Sequence, residues 1–159
     1  MIALLKLLFF SSLLLGQGLQ IPKIEYNPRS YVCYKTSAPI LVDGKLNDPS
    51  WSKTDWTESF VDIEGNLKPD PFYDTKVKML WDDNYFYFGA GMEEPHVWAT
   101  LTARDAVIFK DNDFEIFLDP DGDTHNYYEL EVNAFETEWD LLLLKPYRGV
   151  NAGSVSIGA

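Results

Sequence analysis

Four carboxylates stand at alternating positions in two short runs: Asp113 and Glu115 in Asp113-Phe114-Glu115-Ile116-Phe117-Leu118, and Glu129 and Glu131 in Tyr127-Tyr128-Glu129-Leu130-Glu131-Val132-Asn133-Ala134. Between them lies Asp119-Pro120-Asp121-Gly122-Asp123, a sequence rich in turn formers. Period-two alternation on both sides of such a segment predicts a β-hairpin with all four acids on one face, Glu115 across from or diagonal to Glu131. Like charges facing each other on a sheet are unfavourable and need an offset. Water, a cation such as Lys76, Lys78 or Arg104, a metal ion, or a ligand rich in hydroxyl donors would each supply one. Carboxylates accept several hydroxyl hydrogen bonds, which makes a sugar the best-matched ligand, while a solvated acidic face would need none. A Glu115/Glu131 pair could also serve as the acid and base of a glycoside hydrolase, for which a separation of roughly 5–10 Å is required.

Two aromatic residues stand near this face in the sequence. Phe109 and Trp98 lie in the long segment 93–112 that leads into the first run. An aromatic ring presents a flat apolar face with a negative quadrupole, suited to the C–H face of a pyranose, although either residue could instead fill the core. Other chemistries find less support. Asp119-x-Asp121-Gly122-Asp123 begins like a calcium loop, but Thr124 and Leu130 stand where an EF-hand needs Gly and Glu, so a hairpin turn is the plainer reading. The two histidines, His96 and His125, have no Cys or His partner at zinc-ligand spacing. No phosphate-binding glycine loop, nucleophile elbow or Cys-x-x-Cys is present.

The elements that must position these residues are short strands. Ala38–Val42 reads as a strand ended by Asp43-Gly44, and Asn47-Asp48-Pro49-Ser50-Trp51 as a helical turn that buries Trp51. Trp56–Ile63 is a further strand candidate. Val77, Met79 and Trp81 alternate with lysines, and Asp82-Asp83-Asn84 turns the chain into Tyr85-Phe86-Tyr87-Phe88. The segment 93–112 reads as a loop with one helical turn near Ala103, long enough to suggest a functional role. After the acidic hairpin a last strand runs from Trp139 to Leu144, and 146–159 reads as an irregular tail that leaves this strand's edge unpaired. Short strands joined by turns, without an amphipathic helix, indicate an all-β sandwich or barrel.

Composition bounds the partners. The 159 residues suit one domain, and 15% of them are aromatic. A net charge of −12 disfavours nucleic acid and anionic membrane surfaces but not a neutral glycan. Lys6, the apolar run Leu7–Leu15 and the small residues Gly16-Gln17-Gly18 read as a cleaved signal peptide over 1–18 that sends the protein to the periplasm or outside the cell. The run is too short for a membrane span. Residues 19–37 read as an extended lead-in, and the single Cys33 as a buried thiol.

Four blocks together resemble the family 9 carbohydrate-binding modules and their family-9-like relatives. They are Ile40–Trp51, Val77–Tyr87, Asp111–Pro120 and Tyr127–Ala134, in the family's order and spacing, and the resemblance covers about residues 38–145. It implies an antiparallel β-sandwich of jelly-roll or immunoglobulin-like type, here lacking its C-terminal strands. It implies non-catalytic binding of glucose- or xylose-type units beside a glycosidase partner in polysaccharide breakdown, without a cofactor beyond a structural calcium ion found in some members. Phe109 matches the first of two clamping aromatics, where the best-known binders carry Trp, and Glu115 matches a sugar-binding Glu. Glu131 stands where those binders have Arg. The carbohydrate-contact set expected is therefore Phe109, Glu115, Trp98, Asp113, Glu129 and Glu131. The alternatives are a hydrolase built on Glu115 and Glu131, a haem-binding relative using Met92 and His96, and a structural or interaction domain without a ligand.

Overall fold

The computed structural model describes residues 28–147 and 154–157. The proposed signal peptide lies outside them. The described residues form seven strands and three 3-10 turns, with no α-helix among them and none long and apolar enough to cross a membrane. The strands form two sheets, of order β1-β2-β3 and β4-β5-β6-β7, an all-β architecture of the β-sandwich class as the sequence predicts. Two compact units divide the chain, one comprising the residues up to Thr57 with Lys78–Gly89, the other Glu58–Val77 with the residues from Ala90 onward.

In the first sheet β1 (Tyr34–Lys35) pairs in parallel with β2 (Thr75–Trp81), which neighbours β3 (Phe86–Met92). Asp82 makes the predicted turn: its Oδ1 accepts the N–H groups of Asn84 and Tyr85, and its Oδ2 the Tyr87 hydroxyl. Trp51 opens the 3-10 turn Trp51–Lys53 and is buried, as expected. Its ring and Leu46 close directly over Gly89, where a Cβ would meet Leu46 Cδ2 at 2.6 Å and Trp51 Cη2 at 3.2 Å. Lys78 is held nearby, donating to the Trp51 carbonyl at 2.7 Å and lying over the Trp56 ring.

The second sheet carries the acidic hairpin. β4 (Asp113–Leu118) pairs antiparallel with β5 (Tyr127–Asn133), β5 with β6 (Glu138–Leu143) and β6 with β7 (Ser154–Ser156). Asp119 closes the turn by accepting the Gly122 and Thr124 N–H groups. Glu115 faces Glu131 directly, and Phe117 faces Glu129, in the anticipated register. One face therefore carries Asp113, Glu115 and Phe117 on β4, Asn133, Glu131 and Glu129 on β5, and Trp139, Leu141 and Leu143 on β6. Leu141, Leu143 and Ile108 are its buried apolar residues.

Several local expectations are corrected. Residues 38–42 and 56–63 form no strands; Pro39 lacks an N–H for a ladder, and Leu41, Val42 and Ile63 are exposed, so no sheet gains from adding them. The helical turn of the long loop falls at Ile108–Lys110, with a simple turn at Ala103–Ala106. The segment 146–159, expected to be irregular, supplies β7: the free edge of β6 offers backbone partners that a small-residue sequence fills without any side-chain pattern. Cys33 is half-buried rather than buried. Replacing Gly89 by Ala would force Leu46 and the enclosed Trp51 ring apart, and should destabilise the fold by about 1–3 kcal/mol in chemical denaturation. An unchanged midpoint would show that this packing yields freely.

Candidate functional site

The acid face is built inside out. On β5 the carboxylates of Glu129 and Glu131 are buried, whereas Leu130 and Tyr128 on the opposite face are exposed. The loop 93–112 explains the inversion, because its 3-10 turn Ile108–Lys110 packs on β5 and Ile108 is wholly enclosed. Glu131, only 2% exposed, accepts the Phe109 N–H on Oε2 at 3.0 Å. Glu129 accepts the Tyr147 hydroxyl at 2.6 Å. The solvated acidic face considered from sequence is thus not what forms at these two positions, and both buried oxygens are spent on holding neighbouring chain segments.

Asp113, Glu115 and Glu131 bring one carboxylate oxygen each to within 4.8 Å of one another. The cations proposed to offset them are engaged elsewhere. Lys76 pairs with Asp74, Lys78 with the Trp51 carbonyl, and Arg104 with Glu138 and Asp140, which lie on the other face of the sheet. The offset is instead a proton. Burial, reinforced by Asp113, Glu115 and Glu129, raises the Glu131 carboxyl from 4.5 to about 7. Burial likewise raises Asp113 and Glu115, the latter helped by Asp113 and Glu129. Asp113 is within hydrogen-bonding reach of Glu131, and its buried Oδ2 has no donor among the described groups unless one of the pair is protonated.

Above this floor the exposed groups are Glu115, Phe109 and, in part, Trp139. Phe109 is 59% exposed, and its ring lies 6.1 Å from that of Trp139 at an interplanar angle of 36°. Trp139 stands opposite Glu131 in the ladder, so the two rings and the carboxylates share one face. The sequence reading placed Trp139 in a strand but not in the site; its alternation with Leu141 and Leu143, and its pairing with β5, is the signal that would have put it there. Trp98 lines a largely apolar cavity of about 410 Å³ with Met92, Val97, Phe114 and Val132, the last two from the opposite face, and with Asp113 and Asn133 from the acid face.

The loop that carries Phe109 is pinned at both ends. Asp111 is buried and accepts four hydrogen bonds, from the Thr100 hydroxyl and N–H, the Leu101 N–H and the Asn133 amide. Burial alone would raise its pKa, but these donors outweigh it and hold the carboxyl down at about 2. Asn133 and Thr137 also donate to the Leu101 carbonyl. A second acidic trio, Asp119, Asp121 and Asp123, has oxygens within 4.8 Å, but Asp119 is already occupied by turn N–H groups, as the hairpin reading implies.

The two buried carboxyls set opposite pH windows. Stability supplied by neutral Glu131 is complete below its ordinary 4.5 and is lost as pH rises through about 7. Stability supplied by ionised Asp111 is present above 3.8 and is lost as pH falls towards about 2. The unfolding midpoint should therefore decline between pH 4.5 and about 7, and Glu131→Gln should flatten that decline and stabilise the neutral-pH protein by on the order of 2 kcal/mol. Scanning calorimetry across pH would show it; a less stable glutamine variant at neutral pH would mean that the carboxylate is charged and compensated.

The family described as "Carbohydrate family 9 binding domain-like" matches residues 42–142. The chain is similar to the endo-1,4-beta-xylanase A of Thermotoga maritima, 30% identical over 105 residues, covering 66% of this chain and 9% of the relative. It is 27% identical over 100 residues to the exoglucanase XynX of Acetivibrio thermocellus and 28% over 99 residues to the endo-1,4-beta-xylanase C of Paenibacillus barcinonensis, covering 63% and 62% of this chain. It spans 8% of each of these two, so it corresponds to less than a tenth of the relatives' length. No solved structure matches. With roughly two thirds of its residues matched, in the region that holds both hairpins and the acid cluster, the chain belongs to the carbohydrate family 9 binding domain-like family.

Proposed function

We propose that this chain is an exported, non-catalytic module that binds a neutral glycan of glucose- or xylose-type units and brings it to a glycosidase partner. The observation that carries the proposal is the placement of Phe109: an exposed ring beside Trp139, on a backbone anchored to buried Glu131, which faces the exposed Glu115 across the ladder. A pyranose laid on the ring would meet dispersion from its C–H face and hydrogen-bond acceptance from Glu115. Both aromatic rings are held before any ligand arrives, which limits the entropy lost on binding. Export follows from reading residues 1–18 as a signal peptide, and the partner from relatives that are named xylanases and an exoglucanase.

Binding fits the site better than hydrolysis. A glycosidase needs both carboxyls against the scissile bond, but Glu131 is enclosed beneath the loop with an oxygen committed to the Phe109 N–H. Asp113, Glu129 and Glu131 serve in this reading as the support that sets Phe109 and Glu115 in place. Glycan-array binding of the full chain should give signal on xylan- or glucan-derived oligosaccharides. Phe109→Ala should weaken it by about 1–2 kcal/mol, read by titration calorimetry. Unchanged affinity would remove Phe109 from the site, and turnover of an aryl glycoside abolished by Glu115→Gln would replace binding with catalysis.

A further inference from the structure

The acid face does not end at Glu115. Phe117 follows it on the same side of β4, about 7 Å further along the strand, and is 50% exposed. Phe117 is a shared wall of two depressions. One, of about 550 Å³, is lined along β4 by Asp113, Phe114, Glu115 and Phe117, together with Phe60, Thr75 and Met92, so that it takes in the β4 backbone between the two faces. The other, of about 590 Å³, is lined by Phe117, Tyr127, Asp119, His125 and Lys145 at the turn end of the hairpin. A ring seated beside Glu115 would therefore have a neighbouring berth on the far side of Phe117, reached without crossing any other element of the sheet.

The second depression has the composition of a sugar subsite in its own right. The Phe117 and Tyr127 rings lie 6.3 Å apart at 47°, an angled aromatic wall rather than a closed stack. Around it stand an acceptor, Asp119, with lone pairs beyond those used by the turn N–H groups, and a flexible donor, Lys145. His125 engages the Asp123 carbonyl through Nδ1, leaving Nε2 for a ligand hydroxyl. A macromolecular anion would meet Glu115 and Asp119 along the same path, so a neutral polyhydroxylated chain is the ligand this charge pattern admits.

We propose that Phe117 and Tyr127 form a second subsite continuous with the Phe109–Glu115 site, so that the ligand is an oligosaccharide lying along β4 rather than a single terminal sugar. The inference rests on the carbohydrate-binding reading above. Its test is the dependence of affinity on chain length, measured by titration calorimetry of the full chain with xylose and xylotetraose, and with glucose and cellotetraose. The better tetrasaccharide should bind at least tenfold more tightly than its own monosaccharide. Phe117→Ala should collapse that ratio towards one, whereas Phe109→Ala should weaken both ligands and keep the ratio. If Phe117→Ala does not fold, Lys145→Ala and NMR mapping of the wild type take its place: the tetrasaccharide must shift the Tyr127 and His125 signals and the monosaccharide must not. Equal affinities for the two lengths, or signals confined to the Phe109 side, would overturn the second subsite while leaving the first. Absence of binding by any of the four sugars would instead remove the reading on which both stand.

Discussion

A carboxyl group enclosed opposite another carboxylate is the constraint around which the second sheet is arranged. Glu131 faces Glu115 across the ladder and stands close to Asp113, with its charge screened by almost no water. Two or three ionised groups in that space would repel strongly at a low local dielectric. The protein meets this by keeping a proton in the cluster and by giving Glu131 a backbone donor from Phe109. Those two interactions tie the position of the loop to the state of the strand. The ring that faces solvent is fixed through its own main chain by an acid that solvent does not reach.

Asp111 solves the complementary problem two residues along. It is also buried, yet ionised, because four donors from three residues converge on its two oxygens. The contrast with Glu131 shows how environment divides identical chemistry: a carboxyl with many donors stays charged, and one among other carboxyls is neutralised. Between them the loop 93–112 is fastened to Asn133 at the end of β5 and to Glu131 at its middle. The aromatic platform is thereby preorganised on rigid strands rather than carried by a free loop.

Burying acids on one face leaves the other face of the sheet to explain. Leu118, Leu130 and Tyr128 are exposed there, while Arg104 bridges Glu138 and Asp140 along the same side. Trp98 lies toward this second face in the cavity it shares with Phe114 and Val132. The segment between Trp98 and Phe109 is tied to the β5–β6 turn and to β6, through Asn133 and Thr137 to the Leu101 carbonyl and through the Asp105 N–H to the Glu138 carbonyl. Trp98 shares its cavity with Asp113 and Asn133 as well as with Phe114 and Val132, while Phe109 stands over the enclosed carboxylates.

The strands β2 to β6 were legible in the sequence, because alternation at period two and Asp-rich turns are local properties that a chain carries wherever it folds. The register of the acidic hairpin followed from the same alternation, and with it the facing of Glu115 and Glu131. Strands without that pattern were not legible. β1 and β7 exist because β2 and β6 offered them edges, and 38–42, apolar but interrupted by Pro39, found none. Which face is buried could not be read from alternation either, since the pattern on β5 is symmetric between acids and hydrophobes. By itself the sequence determined that two acidic strands would pair with their carboxylates together and that aromatic residues would lie nearby. Only the tertiary structure decided that the loop would cover those carboxylates, neutralise one and raise Phe109 beside Trp139, because enclosure, and the proton it demands, is a property of what packs on a strand and not of the strand.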